Sequence, residues 1–123
     1  MTHRERVLAA VDRQETDRTP IDFGGTLATT IVPTTYEKLK HHLGDTHPTT
    51  IGWKRQQLVL PAETILRRFE VDTRPLKLGE YDGGKARALS AHQMIDNWGT
   101  TWSKEVGGHY LNVNWPFYKT EAD

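Results

Sequence analysis

Apolar positions recur at helical spacing through the first part of this chain and give way to aromatic and β-branched clusters further on. Thr2 and Glu5 have the spacing of a capping box, in which each residue satisfies a backbone N–H of the other at a helix start. The pattern predicts a helix carrying Val7, Leu8 and Val11 on one face, ending near Gln14 before the polar run Glu15-Thr16-Asp17-Arg18. Pro20 biases Thr19 towards an extended backbone, so Thr19 to Phe23 reads as a short strand broken by Gly24-Gly25. After Pro33 and Thr34 a second helix places Tyr36, Leu39 and Leu43 on one side and Glu37, Lys38 and Lys40 on the other. Gly44 suits its left-handed C-terminal cap, a conformation glycine adopts without steric cost.

Asp45 to Thr50 is polar, contains Pro48 and reads as loop, whereas Trp53 to Leu60 fits neither template cleanly. Pro61 suits the first turn of a third helix with Ile65, Leu66 and Phe69 as its apolar face. Val71 to Leu78 reads as extended, with Pro75 restricted to an end or a bulge because it has no N–H for a ladder. Glu80 to Lys85 is a glycine-containing turn. Trp98 to Glu105 and His109 to Trp115 flank Val106-Gly107-Gly108, which predicts a hairpin. The predicted order is α-β-α-α-β followed by that hairpin, with no internal repeat.

Composition narrows the possibilities. The chain has 123 residues, one domain or less, of which 36% are hydrophobic. A mean hydropathy of −0.67 implies a thin core. Sixteen basic residues balance sixteen acidic ones, so nothing points to a phosphate-tracking surface or a nucleic-acid partner. The absence of cysteine excludes disulfides, a thiolate metal site and a thiol nucleophile within these residues. No apolar run reaches membrane-spanning length and the N-terminus lacks a secretory pattern, so a cytoplasmic location without membrane association is expected.

Arg4-Glu5-Arg6-Val7-Leu8-Ala9-Ala10, followed by Asp17-Arg18-Thr19-Pro20-Ile21-Asp22-Phe23-Gly24-Gly25-Thr26, resembles the opening of the uroporphyrinogen decarboxylase superfamily. Tyr36-Glu37-Lys38-Leu39-Lys40 with Leu43-Gly44, and Ile65-Leu66-Arg67-Arg68-Phe69-Glu70-Val71-Asp72, continue the likeness. It covers about the first two thirds of the chain and continues weakly through Asp96 to Gly99. The resemblance implies an α/β fold: the N-terminal portion of a (β/α)8 TIM barrel, with its leading helix and first two βα units, followed by a β-hairpin. Residues 1–123 would form a partial uroporphyrinogen-decarboxylase-like barrel domain, since eight βα units need about 250 residues.

The departures from the family pattern choose between its branches. Porphyrin decarboxylases carry substrate-holding arginines in the loop after the first strand, where this chain has Asp22-Phe23-Gly24-Gly25-Thr26. Their essential aspartate falls near Gly79 here, with Glu80 and Asp82 close by but out of register. A glycine cannot stabilise cationic charge on a pyrrole. The resemblance is closer to the zinc-dependent methyltransferases that move methyl groups between corrinoid proteins and thiols. Their zinc is held by a His-x-Cys pair and a later Cys, and this chain has no cysteine. Zinc and a corrinoid partner are thus implied for the complete family fold, whereas no cofactor, metal ligand or catalytic residue is assigned within this chain. A complementing chain or a homodimer would finish it, the chain being a truncated product or half of a split enzyme.

Four residues are candidates for substrate binding. Asp22 ends the first predicted strand, on the face where barrel active sites form, although an aspartate there also bonds turn N–H groups. Gly24 and Gly25 could admit a ligand to the backbone or simply turn the chain. Arg74 either binds an anion or pairs with Asp72, two residues away on the same strand face. His41 and His42, about 100° apart on a helix, cannot chelate one ion, and His3, His47, His92 and His109 show no ligand spacing. Trp98 and Trp102 share a face in a strand reading and, with Trp115, either line a pocket or pack the hairpin. Alternatives to the methyltransferase-like segment are a small stand-alone binding or assembly module, a porphyrin carboxy-lyase, and a lyase using Asp22 or Glu80 as base.

Overall fold

A computed structural model describes residues 1–77 and 83–115. They form a mixed α/β arrangement with few helices and two small antiparallel sheets, and they contain no closed barrel. The expectations on Gly79, Glu80 and Asp82 lie outside the described residues, as does the end of the second predicted strand at Leu78. Two compact units are present, Met1–Lys54 with Leu58–Lys77, and Arg55–Gln57 with the described residues 83–115.

In the first unit, helix α1 spans His3–Val11 and starts with the expected capping box. The Glu5 N–H donates to Thr2 Oγ1 at 3.2 Å, and the Thr2 N–H donates to Glu5 Oε2 at 2.8 Å. The helix stops short of Gln14. Arg13 adopts φ +57°, the left-handed position usually taken by glycine, and the Gln14 N–H returns to the Ala9 carbonyl at 2.8 Å. The apolar face expected on α1 is not its buried face. Leu8 is 44% exposed and Val11 72%, and the residue that α1 buries is Arg6.

A 3-10 turn at Leu27–Thr29 precedes helix α2, Pro33–Leu43, which carries proline in its first turn and ends on Gly44 at φ +69°. Tyr36 is buried and packs with Val59 and Ile65, and Leu39 and Leu43 join that cluster, as the spacing predicts. Lys40 departs from the pattern. It is buried, with Nζ 3.1 Å from Thr49 Oγ1, 3.2 Å from Glu37 Oε2 and 5.9 Å above the Tyr36 ring. The ambiguous stretch is a hairpin of β1, Thr50–Trp53, and β2, Leu58–Leu60, with an irregularity between Ile51 and Trp53 that breaks the alternation. Helix α3, Glu63–Arg68, buries Ile65 and Leu66, while Phe69 caps its C-terminus and is partly exposed.

The two expected barrel strands are not formed as strands. Thr19 to Phe23 and the described residues from Val71 to Lys77 carry no strand, and one backbone hydrogen bond, Asp72 N–H to Ile21 O at 2.8 Å, joins them. Pro20 and Pro75 offer no donors, and the Ile21 N–H goes to the Asp72 carboxylate at 2.8 Å instead of to a backbone carbonyl.

The second unit is a four-stranded antiparallel meander of β3, Arg87–Ala88, β4, Gln93–Ile95, β5, Thr101–Ser103, and β6, Leu111–Asn114. The expected hairpin is its β5–β6 half, turning through Gly107 at φ +75°. Trp98 does not share a strand face with Trp102. It lies in the β4–β5 turn and is 84% exposed. That turn is organised by Asp96, whose Oδ1 accepts from the Trp98 and Thr100 N–H groups and whose Oδ2 accepts from Trp102 Nε1 at 2.8 Å. Arg55 covers the Trp102 ring at 5.0 Å, and Lys104 covers the Tyr110 ring at 4.8 Å.

Candidate functional site

The most highly connected side chain in the first unit is Asp72. Its carboxylate has no solvent exposure and receives Arg6 Nη1 at 2.5 Å, Arg18 Nη1 at 2.7 Å, and the Ile21 N–H, with His3 Nδ1 at 2.7 Å. Burial pushes the Asp72 carboxyl up. The hydrogen bonds from Ile21, His3, Arg18 and Arg6 together outweigh it and hold the group well below the usual carboxylate range. Arg6 reaches Asp17 as well, through Nε at 2.6 Å and Nη2 at 2.8 Å, which keeps Asp17 ionised and raises the guanidinium. The network is closed on itself. Each oxygen of Asp72 is engaged by cations, so none is left to act as a base.

Sequence reasoning places Asp72 with Arg74, and the structure partners each elsewhere. Arg74 forms a bidentate pair with Glu63, Nε to Oε2 at 2.8 Å and Nη2 to Oε1 at 3.0 Å. Its Nη1 donates to the Val71 and Thr73 carbonyls. Arg74 and then Arg67 lower the Glu63 carboxyl to about 2. An arginine with donors so engaged serves to tie the end of the extended segment to α3.

Asp22 lies beside this network without joining it. Its Oδ1 accepts from the Gly25 N–H at 3.0 Å and from the Thr73 hydroxyl. Gly25 is required by that closeness, because a Cβ there would collide with the Asp22 carboxylate and lie 2.9 Å from Thr73 Oγ1. Gly24 has φ +83°, and a Cβ on it would lie 2.6 Å from the Pro61 ring. Both glycines therefore serve tight packing and a turn, Gly25 against Asp22 and Gly24 against Pro61. Arg74 is oriented towards Glu63. Thr73, the residue that links Asp22 to the second segment, had no sequence signal of its own.

Among the described residues no group of three or more His, Asp or Glu side chains could hold a metal ion. The donors present do not fit the zinc that the resemblance implies. His47 pairs with Asp45 at 3.2 Å and His109 contacts the Gln56 carbonyl at 2.7 Å, so these histidines have local partners. No helix among the described residues is long and apolar enough to cross a membrane.

No family model, curated protein or solved structure matches the chain.

Proposed function

We propose that this chain is the N-terminal portion of a uroporphyrinogen-decarboxylase-like (β/α)8 protein of the cobalamin-dependent methyltransferase branch, catalytically incomplete by itself. One observation carries the reading. Asp72 bonds Ile21 and Thr73 bonds Asp22, so the two segments expected as barrel strands one and two touch at successive residues, in the order that parallel neighbours would have. Parallel neighbours connected through intervening helices are what a βα unit requires. The residues that carry the resemblance, Arg6, Asp17, Arg18 and Asp72, converge in one network that ties the leading helix to the second segment.

In this reading Asp22, with Gly24 and Gly25, forms one rim of a substrate site. The zinc ligands come from a complementing polypeptide, because a cysteine-free chain offers no thiolate. The test is methyl transfer from methylcobalamin to a thiol, followed by loss of the Co–CH₃ absorbance. This chain alone should be inactive. Mixed with a polypeptide that supplies the His-x-Cys pair and the later Cys, it should form a stoichiometric, zinc-retaining, active complex. Turnover by this chain alone, or no complex with any such polypeptide, refutes the proposal.

A second reading, a small binding or assembly module, draws on Trp98. A large indole left exposed on a turn pinned by Asp96 suits an interaction surface. If that reading holds, Trp98→Ala lowers affinity for a partner without changing the melting temperature.

A further inference from the structure

We infer that α1 is a strap that opens as a unit while the rest of the first unit stays folded. No apolar residue of α1 is fully buried: Leu8 and Val11 are exposed, Val7 and Ala9 are half-buried, and the residue the helix buries is a charged one, Arg6. Among the described residues, the long-range hydrogen bonds and ion pairs of Met1 to Val11 converge on two carboxylates. His3 and Arg6 meet Asp72, and Arg6 and the N-terminal ammonium meet Asp17. The core of Tyr36, Val59 and Ile65 includes no residue of α1. A helix of nine residues does not persist in water without tertiary support. Once those ion pairs part, α1 therefore detaches and unfolds in one step. Opening uncovers the Asp72 carboxylate and Arg18, while Asp72 keeps its bonds to Arg18 and to the Ile21 N–H. Local opening of this kind belongs to elements with few buried apolar contacts.

Native-state hydrogen exchange on the full chain tests the inference. In the unaltered protein, the amides of α1 should exchange through an opening that leaves α2 and β2 protected. Arg6→Met should speed exchange in α1 by about tenfold or more, since it removes one partner from the buried pair with Asp72. Global unfolding also frees α1, so α2 and β2 should speed by no more than the same factor, whereas Tyr36→Phe, in the core that stays folded, should speed α2 and β2 and leave α1 unchanged. Ala10→Gly touches no member of the network and lowers helix propensity alone, so it should speed α1 exchange by roughly fivefold. Tyr36→Phe, which leaves α1 untouched, decides the matter if Arg6→Met does not fold. Exchange of α1, α2 and β2 through a single shared opening overturns the inference, as does a Tyr36→Phe effect spread equally over all three.

Discussion

Replacing Tyr36 with phenylalanine isolates one hydrogen bond in the centre of the first unit. Tyr36 is 1% exposed, and its hydroxyl accepts from the Ala62 N–H at 2.8 Å, at the residue that caps the start of α3. Phenylalanine preserves the ring and its packing on Val59 and Ile65, so no cavity term enters. What changes is that the Ala62 N–H loses its acceptor. An unsatisfied buried donor costs about 1–3 kcal/mol, and the half-burial of Ala62 places the expected loss near the lower end, about 1–1.5 kcal/mol. For a unit of this size that corresponds to roughly 4–10 °C in melting temperature. The assay is thermal and urea unfolding followed at 222 nm, a signal that reports α1, α2 and α3, all in the first unit. A Tyr36→Phe variant as stable as the parent would refute the assignment of this bond as a fixed point of the fold.

Three further outcomes follow from the same geometry. Asp72→Asn should destabilise the first unit by about 3 kcal/mol, because Arg6 and Arg18 lose the buried carboxylate between them and keep only Asp17 and, at 4.0 Å, Glu70; urea denaturation at pH 7 measures it, and a loss below about 1 kcal/mol contradicts it. Asp17, Asp72 and Glu63 all have carboxyls lowered on folding. Their contribution is therefore complete above the ordinary carboxylate range near pH 4 and fades as pH falls through the folded values, about 2 for Glu63. Denaturation midpoints should stay flat from pH 7 to about 5 and drop below about 4, whereas a steady decline beginning near pH 6.5 would assign the effect to histidine instead. Gly24→Ala should cost more than Gly44→Ala, about 2–3 against about 1 kcal/mol. Both positions have positive φ, but a Cβ at Gly24 meets the Pro61 ring and one at Gly44 meets nothing within 4 Å. Parallel thermal melts compare them.

Elements whose signals are local were legible in the sequence. The capping box at Thr2 and Glu5, the α2 face of Tyr36, Leu39 and Leu43, the cap at Gly44 and the β5–β6 turn at Gly107 all depend on residues within a few positions of one another. The β1–β2 hairpin was not legible. Its connection, Lys54-Arg55-Gln56-Gln57, has none of the usual turn residues, and Gln57 takes φ +52° without being Gly or Asn. The irregularity at Gly52 also removes the alternation that would identify a strand. The β3–β4 pair is too short to leave a period. For the candidate site, sequence spacing suggested Asp72 with Arg74, but charge partners are chosen by the fold. Arg6 and Arg18 lie 66 and 54 positions from Asp72, and Glu63 lies eleven positions from Arg74. Buried Arg6 and Lys40 defeated the rule that charges face water, each by finding enough acceptors to offset desolvation.

Lys77 stretches across the Trp53 ring at 5.5 Å and donates to the Gly52 carbonyl at 2.8 Å. A newcomer strand approaching β1 would have to bond that same oxygen, and it would meet an ammonium group already in place. The hairpin therefore discourages its own extension at Gly52, and a single methylene-linked charge lowers the hazard of chain-to-chain sheet growth at that point.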